Sequence, residues 1–348
     1  MPSPRKRLAA AEYIDGVLSA DRIKLAQAIT VIESELDSDV ELAGQILDGV
    51  LTGAPHESAR RVGITGTPGA GKSTFIDALG LHLIRERGEA VAVLTVDPSS
   101  PVSGGSILGD KTRMEQLSAE DKAFIRPSPS RGHLGGVARR TRETILLCEA
   151  AGFRNVVVET VGVGQSETAV RSMTDFFLLL MIPRSGDELQ GIKRGIIEMI
   201  DAIAINKADG DNLDAARRSQ GEYRNALHLF PAAADGWSPR VELCSALNKE
   251  GITEIWELVL RHREQQEVNG CFNERRRAQS LDWMRELVAS GLEDMFRQNP
   301  DVASALPKTS DAVREGRLSP LHAARNLLNL VGRPSGGPAG TNGEKTWT

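Results

Sequence analysis

Residues 66 to 74 read GTPGAGKST, which is the spacing G-x-x-x-x-G-K-[ST]. Glycines at 66, 69 and 71 let backbone N–H groups turn inward without a Cβ clash, so Gly66, Thr67, Pro68, Gly69, Ala70 and Gly71 can cradle a phosphate at a helix N-terminus. Without a ligand, such a turn would leave those inward donors unpaired. Lys72 is placed to reach the β- and γ-phosphates, and the Ser73 hydroxyl, followed by Thr74, to bind Mg²⁺.

A second loop, NKAD at 206–209, follows the apolar run DAIAI. The Asp209 carboxylate can accept hydrogen bonds from guanine N1–H and the 2-amino group, and adenine has neither donor there. Leaving that carboxylate unpaired costs about 2–4 kcal/mol, or some tenfold to a thousandfold against ATP. The stem of Lys207 can cover the base while Asn206 ties the loop down. Ser245, Ala246 and Leu247 follow a later apolar run, where a second backbone turn could touch guanine.

Acids form the third group. Asp97 ends the run AVAVLTV, and Glu159 ends NVVVE, which puts both at the carboxyl edge of a sheet, where open α/β folds bind ligands. Asp110 and Arg113 stand at the far end of a Pro/Ser/Gly-rich stretch that begins at 98. Three acids beside a phosphate site fit direct or water-mediated Mg²⁺ ligation, although a helix N-cap suits Asp110 equally well. A signalling GTPase usually has Asp in place of Glu159 and a glutamine directly after the glycine. Here Val163 follows Gly162, and Gln165 comes two residues later. Unaided hydrolysis should then be slow, and a partner that repositions Gln165, Lys193 or Arg113 could change it by ~10³–10⁵.

These residues need a scaffold to hold them. RVGIT, AVAVLTV, NVVVET, DFFLLLMI, DAIAIN and RVELCSA alternate with helical segments, which predicts a mostly parallel sheet covered by helices on both faces over residues 56–261. Residues 1–55 read as a helical extension. One face there holds Leu25, Ala28, Ile29 and Ile32, another holds Ile46, Leu47, Val50 and Leu51, and a helix start lies near Asp37. Helix returns over 262–330, where Leu281, Met284, Leu287, Val288, Leu292, Met295 and Phe296 form a stripe that either packs on the main domain or forms a dimer seam. The Gly/Pro-rich tail, 331–348, is predicted to be disordered.

Composition excludes several classes. The 348 residues are 40% hydrophobic and 26% charged, and the net charge of −5 gives no reason to expect nucleic acid. Cys148, Cys244 and Cys271 form no C-x-x-C pair, which argues for a reducing compartment. No signal-peptide core follows the basic start, and the longest apolar runs are too short to span a membrane, so a cytoplasmic protein is expected.

GTPGAGKST, VDPSSP, GGSILGDKTRM, RPSPSRGHLGGVARRTRE, ETVGVGQSE, GDELQGIKRGI, NKAD and SAL together closely resemble the MeaB/MMAA-type GTPases. These are G-protein chaperones of adenosylcobalamin-dependent acyl-CoA mutases, also described as ArgK/LAO transport ATPases. The likeness covers nearly all of residues 10–330. It implies a SIMIBI-class P-loop domain with an N-terminal helical extension and a C-terminal helical dimerisation arm, hence a homodimer. It implies Lys72, Asp97, Glu159, Gln165 and Lys193 as the catalytic set, and Ser73, Asp97, Asp110 and Glu159 at Mg²⁺. Residues 66–74, Asn206, Lys207, Asp209 and 245–247 are implied to hold GTP.

GDELQGIKRGI corresponds to a switch segment that communicates with the mutase. The implied partner is methylmalonyl-CoA mutase or an isobutyryl- or 2-hydroxyisobutyryl-CoA-type mutase, with a cobalamin adenosyltransferase as a second. The implied role is to gate cofactor loading and protect or reactivate the mutase. Arg184, Ser185, Arg131 and His133 depart from the family pattern and bear on which partner is served. A metal-insertion GTPase should carry Cys/His ligands or a His-rich tract, and the six histidines here are dispersed. A transport-associated nucleotide hydrolase would need adenine selectivity, which NKAD opposes.

Overall fold

The computed structural model describes residues 7–34, 36–53, 59–96, 113–127, 134–160, 166–183, 194–228 and 235–331. The chain forms two compact units, Met1–Gln279 and Ser280–Thr348. The first begins with three helices, α1 (Ala10–Leu18), α2 (Arg22–Ile32) and α3 (Asp37–Gly53). Then come β1 (Arg60–Gly66), α4 (Lys72–Arg85), β2 (Val91–Val96), α5 (Glu115–Ser118), β3 (Ala123–Pro127), α6 (Leu134–Ala150) and β4 (Asn155–Thr160). The unit continues through α7 (Ser166–Arg171), β5 (Phe176–Met181), α8 (Arg194–Ile197), β6 (Ala202–Ile205), α9 (Leu213–Leu227), β7 (Arg240–Leu243) and α10 (Ile252–Val268). The helix α11 (Cys271–Gln298) begins in this unit.

The seven strands lie in the order β3-β2-β4-β1-β5-β6-β7, and every pairing is parallel. The α/β reading of the sequence is therefore borne out. Central strands are buried on both faces and show why they read as unbroken apolar runs. In β4, Val156 and Val158 face one core layer and Val157 the other; in β5, Phe177 and Leu179 oppose Phe176, Leu178 and Leu180. One layer is closed by Phe75 and Leu79 of α4 and Trp256 of α10. The other is closed by Ile145 and Cys148 of α6 and Val170 of α7, and Tyr13, Val17, Leu25, Ile29, Ile46 and Val50 of the first three helices continue that core over α6. Those helices thus extend the same core by packing on α6. Leu51 departs from expectation: its position on α3 leaves it exposed, while Ile46 and Val50 are buried.

The sequence reading found six strands, and the structure adds β3. This strand is short, ends in Pro127 and pairs only with β2, so neither length nor alternation announced it. Its outer side is blunted by Arg22, whose guanidinium donates to Asp121 O (2.8 Å) and to Ala123 O.

At the amino-terminal edge of the sheet, the first turns of α11 are locked to the strand starts. Arg276 donates to both Asp175 oxygens (3.0 and 2.7 Å) and to Ala59 O (2.6 Å), and it reaches Glu149 at 3.3 Å. Arg61 gives Asp175 its backbone N–H (2.9 Å) and pairs with Glu149 through both guanidinium arms (2.7 and 2.6 Å). Gln279 donates to Thr174 O at 3.0 Å. Burial alone would raise the Asp175 carboxyl, but the charges and hydrogen bonds of Arg276 and Arg61 more than offset it and hold it below its ordinary range.

The second unit contains the rest of α11, α12 (Pro300–Arg314) and α13 (Pro320–Val331). The Asn299 side chain caps α12 by accepting from Asp301 N (2.9 Å) and Val302 N (3.3 Å), and Pro300 occupies the first turn, where its missing N–H costs nothing. Along α11, Leu281, Met284, Val288, Leu292 and Met295 are 51–66% exposed in the single chain. The tail beyond residue 331 lies outside the described residues.

Removing Arg276 would leave a buried carboxylate without its main counter-charge. Arg276→Ala should cost about 3 kcal/mol of unfolding free energy, read by urea denaturation of the first unit's transition. Because the folded Asp175 carboxyl titrates below its unfolded value, its contribution is complete above the unfolded value and fades as pH falls through the folded one. The gap between wild type and variant should therefore narrow on acidification; a gap that widens would contradict this account.

Candidate nucleotide-binding site

β1 delivers the glycine-rich loop and α4 receives it. A Cβ on Gly66 would lie 2.2 Å from Leu180 O, so only glycine lets the strand end pass this close to β5. Gly71 is the N-cap of α4, in a left-handed conformation (φ 86°), and a Cβ there would lie 2.6 Å from Asn206 Nδ2. No side chain caps α4, so the donors of its first turn face the loop. Pro68 and Gly69 form the exposed tip, Ala70 is buried, and Thr74 is exposed on the helix.

Lys72 is 8% exposed, and its ammonium donates to Gly66 O (2.8 Å) and Thr67 O (3.4 Å). Burial lowers its pKa, and the charges of Glu159 and Glu167 resist that. The lysine therefore lies folded against the carbonyls of its own loop. Ser73 Oγ donates to Glu159 Oε1 at 3.3 Å, which places the end of β4 against the start of α4. Beneath them, Thr160 donates to Thr65 Oγ1 (2.9 Å) and ties β4 to β1.

The base loop leaves β6 and turns back over the phosphate loop. Asn206 is buried, and its amide joins three segments. Nδ2 donates to Ala70 O (2.8 Å), while Oδ1 accepts from Ala246 N (2.9 Å) and from Cys244 Sγ (3.7 Å). Asn206 N donates to Met181 O (2.7 Å). Lys207 has a positive φ of 60°, which turns the chain sharply, and Ala208 N donates to Cys244 O (3.0 Å). Ser245 Oγ donates to Asp209 Oδ2 and accepts from Asn248 N (3.1 Å), so the hydroxyl sets the carboxylate that the sequence assigned to guanine. Leu247 is exposed at the loop's outer side.

The described structure thus brings together residues 66–74, Glu159, Asn206, Lys207, Asp209 and 245–247. Asp97, Asp110, Gln165 and Lys193 lie outside the described residues, as do Val163, Arg131, His133, Arg184 and Ser185. Arg113 is exposed beside the buried Met114. Among the described residues, no group of three or more His, Cys, Asp or Glu could hold a metal ion. The Ser73 hydroxyl and the Glu159 carboxylate are hard oxygen donors of the kind Mg²⁺ takes. Sequence reasoning passed over Cys244 and Glu167. Cys244 stands directly before Ser245, and Glu167 is the last letter of ETVGVGQSE, so motif proximity was the available signal.

A cavity of about 690 Å³ lies elsewhere, between α2 and β3. Its cations include Arg7 and Arg126, already paired with Asp39 and Glu33, so the phosphate and base loops remain the better candidate. No helix among the described residues is long and apolar enough to cross a membrane.

Comparison with known proteins agrees with the geometry. The chain is 52% identical over 318 residues to a putative GTPase of Caulobacter vibrioides, which covers 91% of this chain and 96% of that one. Identity is 47% over 322 residues to the GTPase ArgK of Escherichia coli (92% and 96% covered). It is 46% over 321 residues to the mitochondrial methylmalonic aciduria type A homolog of Mus musculus (90% and 77%). Among solved structures, an LAO/AO transport system kinase superposes with a TM-score of 0.73 at 40% identity, covering 94% of this chain and 99% of that one. Residues 25–301 match the family described as methylmalonyl Co-A mutase-associated GTPase MeaB. The phosphate cradle, the guanine-type loop and a family match across both make this chain a GTPase of the MeaB family.

Proposed function

We propose that this GTPase is a Mg²⁺-dependent switch that gates cofactor loading into an adenosylcobalamin-dependent acyl-CoA mutase, and protects or reactivates it. The observation that carries the reading is the contact between Ser73 and Glu159. It joins the hydroxyl assigned to Mg²⁺ to the strand end from which the ETVGVGQSE segment departs. A change in phosphate or metal at that point acts directly on the chain that follows β4, which is how nucleotide switches work. The family's description names methylmalonyl-CoA mutase, and the mouse relative's name points to the same metabolism.

In this reading, Lys72 exchanges its loop carbonyls for the β- and γ-phosphates, and the first turn of α4 supplies backbone donors. Mg²⁺, held by Ser73 and Glu159 with Asp97 and Asp110, supplies charge neutralisation at the phosphates. Asp209, set by Ser245, reads guanine, Lys207 covers the base, and Asn206 keeps both loops in register. With Val163 in the usual glutamine position, unaided hydrolysis is slow. The mutase supplies or positions the missing group, and Gln165 and Lys193 are the nearest candidates in sequence.

Residues 1–55, 56–261 and 262–330 act as extension, GTPase domain and dimerisation arm. The exposed α11 stripe is the seam of a homodimer. A cobalamin adenosyltransferase is a second partner, and the working compartment is the cytoplasm.

GTP and GDP with Mg²⁺ should bind at least tenfold more tightly than ATP, measured by competition against a fluorescent guanine nucleotide. Equal affinity for ATP would remove the guanine assignment. Turnover by the isolated protein should be far below ~10 s⁻¹, and Lys72→Ala should abolish it. Adding the cognate mutase should change GTP turnover, and by linkage should also shift nucleotide affinity. A mutase that alters neither would leave a GTPase without this role.

A further inference from the structure

The cavity of about 690 Å³ between α2 and β3 lies at an edge of the sheet, with β2 and β4 standing between β3 and β1. Its volume is that of a small-molecule site, commonly about 300–1,000 Å³. Arg7, Arg22, Lys24 and Arg126 line it, and among the described residues no Asp or Glu does. Arg7 and Arg126 are neutralised from behind the wall by Asp39 (2.6 Å) and Glu33. No carboxylate pairs with Arg22 or Lys24 among the described residues. Arg22 meets only backbone carbonyls, those of Asp121 (2.8 Å) and Ala123. Asp21, the acid next to them in sequence, spends its Oδ1 on capping α2, where it accepts from Ile23 N (2.8 Å) and Lys24 N (3.1 Å). A Cβ on Gly16 would collide with the Lys24 stem, so that glycine leaves the lysine its place. The cavity is therefore positive, with two cations that nothing on its wall cancels.

Neutral donors and apolar surface complete the wall. Val91 N donates to Lys122 O (3.0 Å), so the parallel ladder turns the Phe124 and Arg126 backbones towards β2 and leaves the Ile125 N–H on the outer edge. The Tyr13 hydroxyl, on a residue only 3% exposed, accepts from Leu8 N (3.3 Å) and donates to no described residue. Phe124 and Ile125 come from opposite faces of β3, and Ile23 is 69% exposed on α2. We propose that this cavity binds a small organic anion, a carboxylate or phosphate head on an apolar body. Arg22 and Lys24 take the head, and Ile23, Phe124 and Ile125 cover the body. A guanidinium has about five N–H donors, and Arg22 uses two of them on carbonyls, which leaves a fork for a bidentate acid. The first six residues, MPSPRK, carry two cations and no acid, so the start of this chain does not supply the anion. The bound anion bridges α2 to the edge strand, in a place separate from the phosphate loop.

The test titrates the full chain, in the presence of GDP and Mg²⁺, with phenyl phosphate, phenylacetate and uncharged benzyl alcohol. The readout is the methyl NMR signals of Ile23 and Ile125, assigned with Ile23→Val and Ile125→Val. At least one acid should move both signals and saturate at about millimolar concentration, and the tighter acid identifies the head group. Benzyl alcohol should bind about tenfold more weakly. Lys24→Gln, shown to be folded by its melting curve, should weaken binding of the acid about three- to tenfold, whereas Lys24→Arg should stay within about twofold of wild type. The proposal is overturned if neither acid moves the two signals saturably, if benzyl alcohol binds as well as the acids, or if a folded Lys24→Gln binds the acid unchanged. Should Lys24→Gln not fold, the wild-type titration is repeated at rising NaCl concentration. Affinity for the acid that falls with salt supports the proposal, and affinity that stays constant overturns it.

Discussion

Everything at the carboxyl edge depends on one buried amide. Asn206 follows β6, two strands away from β1, yet its Nδ2 bonds Ala70 of the phosphate loop and its Oδ1 bonds Ala246 after β7. Each partner is a backbone group taken out of water, and each would be left without its bond if the amide were shortened or turned. The same amide explains a glycine. Gly71 serves the cradle through its backbone angle, but a side chain there would also collide with Asn206 Nδ2. The phosphate loop and the base loop therefore constrain each other's sequence through a single contact. The two loops cannot drift apart independently.

That coupling works only on a rigid sheet, and the sheet's rigidity has an unequal source on its two faces. One face is covered by α4 and α10, which belong to the repeating strand–helix pattern. The other is covered by α6 and α7, and α1, α2 and α3 pack in turn on α6. The N-terminal segment looks like an appendage in sequence, and in packing it continues the same hydrophobic core. Its loss would uncover the outer side of α6, the helix that lies against β2 and β4.

The parts that were legible in sequence are those where backbone geometry dictates residue type. Gly66 and Gly71 are required by close approaches, and Lys72 and Ser73 stand at the helix start. β-strands buried on both faces announced themselves as apolar runs. What escaped has no such local signature. β3 is an edge strand that needs little apolar character and ends in proline. The Asp175–Arg276 pair joins residues 101 apart, and nothing in either neighbourhood names the other. Cys244 and Glu167 act through a neighbour's side chain or charge, so their types alone gave no sign. Leu51 kept the helical period, yet it lies on the exposed side of α3, although Leu18 of α1 covers the helix as far as Gly53.

The two edges of the sheet divide the work. At the amino-terminal edge, Arg61, Glu149, Asp175 and Arg276 use nearly every donor and acceptor on one another or on strand-end backbone, which resists local opening. At the carboxyl edge, the uncapped start of α4 offers its backbone donors outward, while Lys72 spends its ammonium on the carbonyls of Gly66 and Thr67. A polyanion can compete for that ammonium because its carbonyl acceptors carry no net charge, whereas the charges at the other edge are already paired with one another. Ligand binding can therefore rearrange one end of each strand without loosening the other. One end of the sheet is thus closed by paired charges, while the other keeps the backbone donors of α4 open.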